Sequence, residues 1–149
     1  MEKQKIKTID VLEKQSFSGH RKKIVFSSEL KNIVEDLKKE NKVVVTTNGV
    51  FDILHIGHIR YLKEAKKLGD VLIVAINSNL STKQIKGQKR PLNHENDRAE
   101  ALASLECVDY VTIFSENNPI KFLEEIKPNI HAKGGDYKMD QIIEKDTVE

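Results

Sequence analysis

The chain has 149 residues, 38% apolar and 32% charged, a balance that fits one soluble globular domain better than a disordered chain or a membrane protein. Twenty-five basic residues against 23 acidic ones leave a net charge of +2, so no whole-protein field argues for nucleic acid, and any useful positive charge is local. One cysteine, Cys107, excludes an intrachain disulfide and a cysteine-based zinc site; it reads as a small buried side chain in a reducing compartment.

The opening "MEKQKIKTIDVLEKQ" alternates charge with isolated apolar residues and lacks the apolar run of a signal peptide or membrane helix, so a cytoplasmic protein without membrane contact is expected. Residues 1–26, with "GHRKK" before "IVF", read as an N-terminal arm, either solvated or forming an added strand. In "SSELKNIVEDLKKEN", Leu30, Ile33, Val34 and Leu37 recur at helical spacing, with Ser27 or Ser28 as N-cap. "KVVVTTN" is a β-branched run without alternation, the mark of a strand buried on both faces. A helix from about Gly57 to Leu68 places Ile59, Leu62 and Ala65 on one stripe and stops at Gly69.

"DVLIVAIN" is a second buried strand. Residues 78–92, "SNLSTKQIKGQKRPL", are polar, basic and aperiodic, and read as a mobile loop. Asn93 can cap a helix reaching about Leu105. "DYVTIF" is strand three, Pro119 opens a helix closed by Pro128, and "NIHA" is a short fourth strand leading into "KGGDY". Strands alternating with helices predict a Rossmann-like, three-layer α/β/α fold with a parallel sheet.

The unusual residues fall where such sheets bind ligands, beyond the carboxyl end of the first strand, in "NGVFDILHIGH". A helix opening near Gly57 offers unpaired N–H groups and the positive end of its dipole, which together stabilise an anion. His55 and His58, three apart, point to one side, and Gly57 leaves room for a ligand to approach the backbone. The dipole disfavours charged imidazoles, so neutral rings donating hydrogen bonds to a phosphate are expected. A satisfied core pair, a metal pair and an incidental helix start are the competing readings; no Cys or HExxH pattern supplies further metal ligands.

Five segments, "TNGVFDILHIGHIRYL", "LGDVLIVAINSN", "KGQKRPLN", "DRAEALASLECVDYVTIF" and "KGGDY", resemble in order and spacing the bacterial heptose 1-phosphate adenylyltransferases. These are a branch of the cytidylyltransferase-like nucleotidyltransferases with their HxGH motif, and the resemblance covers about residues 27–146. It implies AMP transfer from ATP, with Mg²⁺ on the triphosphate, to D-glycero-β-D-manno-heptose 1-phosphate, giving ADP-heptose and pyrophosphate. A cytidylyltransferase acting on glycerol phosphate or another polyol phosphate, a non-catalytic nucleotide-binding module and, last, an RNA-binding basic loop are the alternatives.

The resemblance also implies residue roles. His55, His58 and Lys86 act on the triphosphate; Asn48, Gly49, Val50, Phe51 and Gly57 line the nucleotide pocket; Arg90 closes with Lys86, and Arg98 stands near the triphosphate. Asp52 orders the turn or meets the substrate; Asn77 and Ser78 stand where a ribose or the sugar can be hydrogen-bonded, Lys133 can meet a phosphate beside Gly134, and Asp136 can accept from sugar hydroxyls or the nucleotide. A homodimer and a separate heptose kinase complete the implied partners. Family members continue past the equivalent of Glu149 into a Ser-Thr-Thr-x-Ile type motif, so residues 27–149 are expected to form the domain without its last segment.

Overall fold

The computed structural model describes residues 20–133. The β-branched run becomes β1 (Val44–Gly49), followed by β2 (Val71–Asn77), β3 (Tyr110–Phe114) and β4 (Ile130–His131). All pair in parallel, in the order β3-β2-β1-β4, with Val44 opposite Val71 and Thr46 opposite His131. The chain therefore builds outward from β1 through β2 to β3, then returns to the other side of β1. That reversal opens a crevice between the carboxyl ends of β1 and β4.

Alternate residues of the strands feed two separate cores, which is why the run is apolar without a period of two. Val45, Leu72, Val74, Ile76 and Val111 pack with Leu62, Ala65, Ala99 and Leu102 from α2 (Ile56–Lys66) and α4 (Glu95–Ala103). Val44, Ile73, Ala75 and Phe114 pack on the opposite face with Leu30, Val34, Phe122 and Leu123 from α1 (Ser27–Lys39) and α5 (Ile120–Ile126). The three-layer α/β/α architecture follows directly. Ahead of α1, a 3₁₀ turn at His20–Lys23 leads to Ile24, which bridges Val111 of β3, while Lys23 Nζ donates to the carbonyls of Leu105 and Val108. No helix among the described residues is long and apolar enough to cross a membrane.

The segment read as a mobile loop is instead helical over α3 (Asn79–Lys86). Its amphipathicity is inverted: Ser81 and Thr82 are fully buried, whereas Leu80 is 63% and Ile85 46% exposed. The buried polar atoms are served locally, because Ser78 Oγ caps Ser81 N–H at 3.1 Å and Thr82 Oγ1 donates to the Ser78 carbonyl at 2.7 Å. Three end assignments also shift. Phe26, without a side-chain cap, precedes α1; His94 rather than Asn93 caps α4; and α2 closes at Lys66 with Lys67 in αR conformation. Gly69 is not a left-handed cap: a Cβ there would meet Val45 Cγ2 at 2.7 Å and the Val43 carbonyl oxygen at 2.8 Å, so it is glycine because the turn lies against β1.

Candidate active site

Beyond β1 the chain turns sharply through Phe51, which adopts φ 49, and its buried ring lies under Gly49. A Cβ on Gly49 would stand 2.8 Å from Phe51 Cε2. The same ring meets His58 edge-on, with centroids 5.3 Å apart at 64°. This turn, the start of α2, the end of α3 and Lys133 after β4 surround a cavity of about 750 Å³ at the switch point of the sheet.

His55 is the N-cap of α2, and the two imidazoles close a reciprocal box. His55 Nδ1 accepts from Gly57 N–H at 3.0 Å, His58 Nδ1 accepts from His55 N–H at 3.2 Å, and the rings stack with centroids 3.8 Å apart. An Nδ1 that accepts from the backbone carries no proton, so each ring holds its proton on Nε2. The pair thus presents two N–H donors in line with the helix N-terminus.

Asp52 ties the turn to the chain between α3 and α4. Its carboxylate accepts from Leu92 N–H at 2.8 Å, Asn93 N–H at 2.8 Å and Arg90 Nη1 at 3.3 Å. Burial opposes its charge, but these donors outweigh burial and hold the carboxyl below its ordinary value. Three cationic side chains, Lys86, Arg90 and Lys133, share the cavity wall with this one neutralised carboxylate, a charge balance suited to a polyanion. Among the described residues no cluster of three or more His, Cys, Asp or Glu could hold a metal ion, and the oxygens of Asp52 are already engaged.

A family model described as cytidylyltransferase-like matches residues 46–149. The chain belongs to the cytidylyltransferase-like family. The domain is 53% identical over 118 residues to the bifunctional protein HldE of a Nitratiruptor species, covering 79% of this chain and 26% of that protein. It is 53% identical over 114 residues to the bifunctional protein HldE of Helicobacter pylori, covering 76% and 25%. This cytidylyltransferase-like chain therefore spans about a quarter of the length of the curated relatives it matches. The solved lipopolysaccharide core biosynthesis protein from Thermoplasma volcanium superposes with a TM-score of 0.63 at 39% identity, over 72% of this chain and 86% of that one.

Within this cytidylyltransferase-like domain, Asn48, Gly49, Val50, Phe51 and Asp52 share the cavity with His55, Gly57 and His58, and across it stand Lys86, Arg90 and Lys133. Arg98, Asn77 and Ser78 do not line it. Arg98 is 2% exposed, and its guanidinium donates to the carbonyls of Val50, Asn77 and Asn93 and to Asn79 Oδ1. Ser78 is occupied in capping α3, and both it and Asn77 are buried. Gly134 and Asp136 lie outside the described residues. The wall also includes Ile53, Tyr61 and Thr82, which sequence reasoning missed. Tyr61 follows His58 by three residues on α2, a spacing that shares a helix face and could have flagged it.

Burial and the neighbouring His55 hold the His58 imidazole below its ordinary value near 6.5. The folded state takes up this proton less readily than the unfolded chain, so His58 supports folding fully above pH ~6.5 and loses that support as pH falls through its lowered folded value. An NMR titration of the free protein is expected to give a His58 midpoint below 6.5, and His58→Gln to remove part of the acid-side fall in Tm.

Gly57 supplies a second prediction. A Cβ at this position would stand 2.7 Å from His55 Cε1 and 2.9 Å from its Nδ1, so the ring must swing and lose its cap and its stack. Alanine gains up to ~1 kcal/mol of helix propensity over glycine, which offsets part of that loss. Gly57→Ala is therefore expected to fold with near-normal Tm while kcat/KM falls ~10–100-fold, as displaced reactive groups usually cost. Steady-state kinetics beside calorimetric melting checks both halves.

Proposed function

We propose that the domain transfers AMP from ATP to a sugar 1-phosphate, with D-glycero-β-D-manno-heptose 1-phosphate as acceptor. A phosphate oxygen of the acceptor attacks the α-phosphorus of ATP, the bond to the β-phosphate oxygen breaks, and pyrophosphate leaves with ADP-heptose as the other product. The observation that carries this reading is that His55 and His58, at the opening of α2, line one cavity together with Lys86, Arg90 and Lys133.

Transfer of this kind needs positioning and charge neutralisation more than covalent chemistry from the protein. The two imidazoles and the N-terminal end of α2 meet charge on the triphosphate, while Lys86 and Arg90 close from the α3 side. Asp52 is engaged and no acidic cluster stands among the described residues, so Mg²⁺ would be carried by the nucleotide as part of the substrate. In the same reading, a sugar kinase supplies the acceptor and the domain works as a homodimer.

The resemblance of the five segments to heptose 1-phosphate adenylyltransferases selects the sugar, and the similarity to a lipopolysaccharide core biosynthesis protein agrees with it. Pyrophosphate release from ATP, and from CTP, with heptose 1-phosphate or glycerol 3-phosphate tests the reading. Turnover with ATP and the heptose ester alone supports it. Turnover with CTP and the polyol ester makes the domain a polyol-phosphate cytidylyltransferase, and ATP binding without pyrophosphate release under any pairing makes it a nucleotide-binding module.

A further inference from the structure

The β4 end of the cavity is built differently from the α2 end, with side chains tied to one another rather than to a helix. Lys133 Nζ donates to Asn48 Oδ1 at 2.7 Å, His131 Nε2 stands 3.2 Å from the same oxygen, and His131 Nδ1 stands 2.8 Å from Thr46 Oγ1. An ammonium can only donate, so its contact fixes which end of the Asn48 carboxamide is oxygen. An amide oxygen can only accept, so His131 Nε2 carries a proton. In the Nε2–H tautomer, Nδ1 accepts from the Thr46 hydroxyl. That hydroxyl has one proton to give, and the ring nitrogen at 2.8 Å takes it in preference to the Ile130 carbonyl at 3.5 Å.

This chain of donors has a chemical outcome. Asn48 lines the cavity, and with both lone pairs of its oxygen taken by His131 and Lys133, its NH₂ is what it can offer a ligand. His131 stands behind the wall rather than in it, and Thr46 behind that is fully buried. Register places them there: His131 and Thr46 are paired neighbours across β4 and β1, and Asn48 lies two residues along β1 on the same face.

We propose that His131 is a positioning residue: backed by Thr46, it fixes the Asn48 carboxamide so that the β4 end of the cavity presents hydrogen-bond donors to a phosphate group of the substrate. It does so without touching the ligand. The inference deepens the proposed function and rests on it for the identity of the ligand as a phosphate ester.

The test is a double-mutant cycle on the full chain, using His131→Leu, Asn48→Ala and their combination, with His131→Gln as the conservative variant. KM for MgATP, KM for heptose 1-phosphate and kcat are measured, the KM of whichever phosphate ester Asn48 meets being the one that reads the effect, and the imidazole tautomer is read by long-range ¹H–¹⁵N NMR. His131→Leu is expected to raise KM ~5–10-fold, the scale of one neutral hydrogen bond, with kcat changed far less. His131→Gln restores KM, since its amide N–H can serve Asn48 and its oxygen can accept from Thr46. In the Asn48→Ala background His131→Leu adds nothing, because its effect runs through Asn48.

NMR is expected to show His131 as the Nε2–H tautomer. Equal losses in both backgrounds, a Gln variant as impaired as Leu, an unchanged KM or the Nδ1–H tautomer would each overturn the proposal. If the wild type releases no pyrophosphate, the functional reading fails on its own, and the same cycle is run on calorimetric affinity for inorganic phosphate. Non-additive losses there support the positioning role, and additive or absent losses overturn it.

Discussion

His58→Ala is expected to lower turnover by ~10²–10³, the cost of removing one preorganised donor from a site that stabilises developing charge. The variant also deletes half of the reciprocal box at the start of α2, where His58 Nδ1 accepts from His55 N–H. A lost cap costs about 1 kcal/mol, which for a domain of this size lowers Tm by ~2–4 °C. The two effects separate cleanly. A glutamine at the third helical position can close a capping box, so His58→Gln is expected to recover the melting temperature and leave turnover near the alanine level. Kinetics and scanning calorimetry on both variants decide the matter: alanine that keeps its activity while losing much of its stability would make His58 a helix cap and nothing more.

The largest loss of stability is expected at Arg98. Its guanidinium joins the ends of β1 and β2 to the starts of α3 and α4 through Val50, Asn77, Asn79 and Asn93. Burial lowers its affinity for the proton, opposed by the charges of Asp52 and Glu95, yet a guanidinium stays ionised at any pH where the protein folds. Arg98→Ala strands several acceptors and leaves a void, for a cost on the order of 4 kcal/mol, or ~8–16 °C in Tm. Arg98→Lys keeps the charge but concentrates its donors on one atom, which cannot reach four oxygens spread over four segments, so it is expected to recover less than half. Thermal melting of the two variants measures this directly. A marginal shift for alanine would mean that water takes over those carbonyls.

What could be read without coordinates followed from backbone periodicity. β1, β2 and β3 are rich in buried β-branched and apolar residues without strict alternation because both faces are covered, the pattern of a parallel sheet, and the two cores divide their apolar residues alternately. The cavity position followed too, since a strand-to-helix turn with two histidines marks a carboxyl edge. α3 was illegible for a physical reason: the residues it buries are Ser81 and Thr82, whose hydroxyls are satisfied within their own turn, while its apolar Leu80 and Ile85 face outward. A hydrophobic count reads that pattern as loop. Arg98 shows a different limit, because a guanidinium that braces carbonyls and one that grips a phosphate are the same letter, and burial alone tells them apart. The link from Thr46 through His131 to Asn48 needs strand register, which no local pattern encodes.

Phe51 imposes an awkward choice on anyone engineering this chain. Its left-handed backbone costs an ordinary residue ~1–2 kcal/mol, a penalty glycine would remove at once. Yet its benzene face belongs to the core of α2 and α4 and props the imidazole of His58 from the side. Relaxing the main chain at that point would take away the wedge that keeps a donor aimed, so a protein made easier to fold there would be expected to work less well.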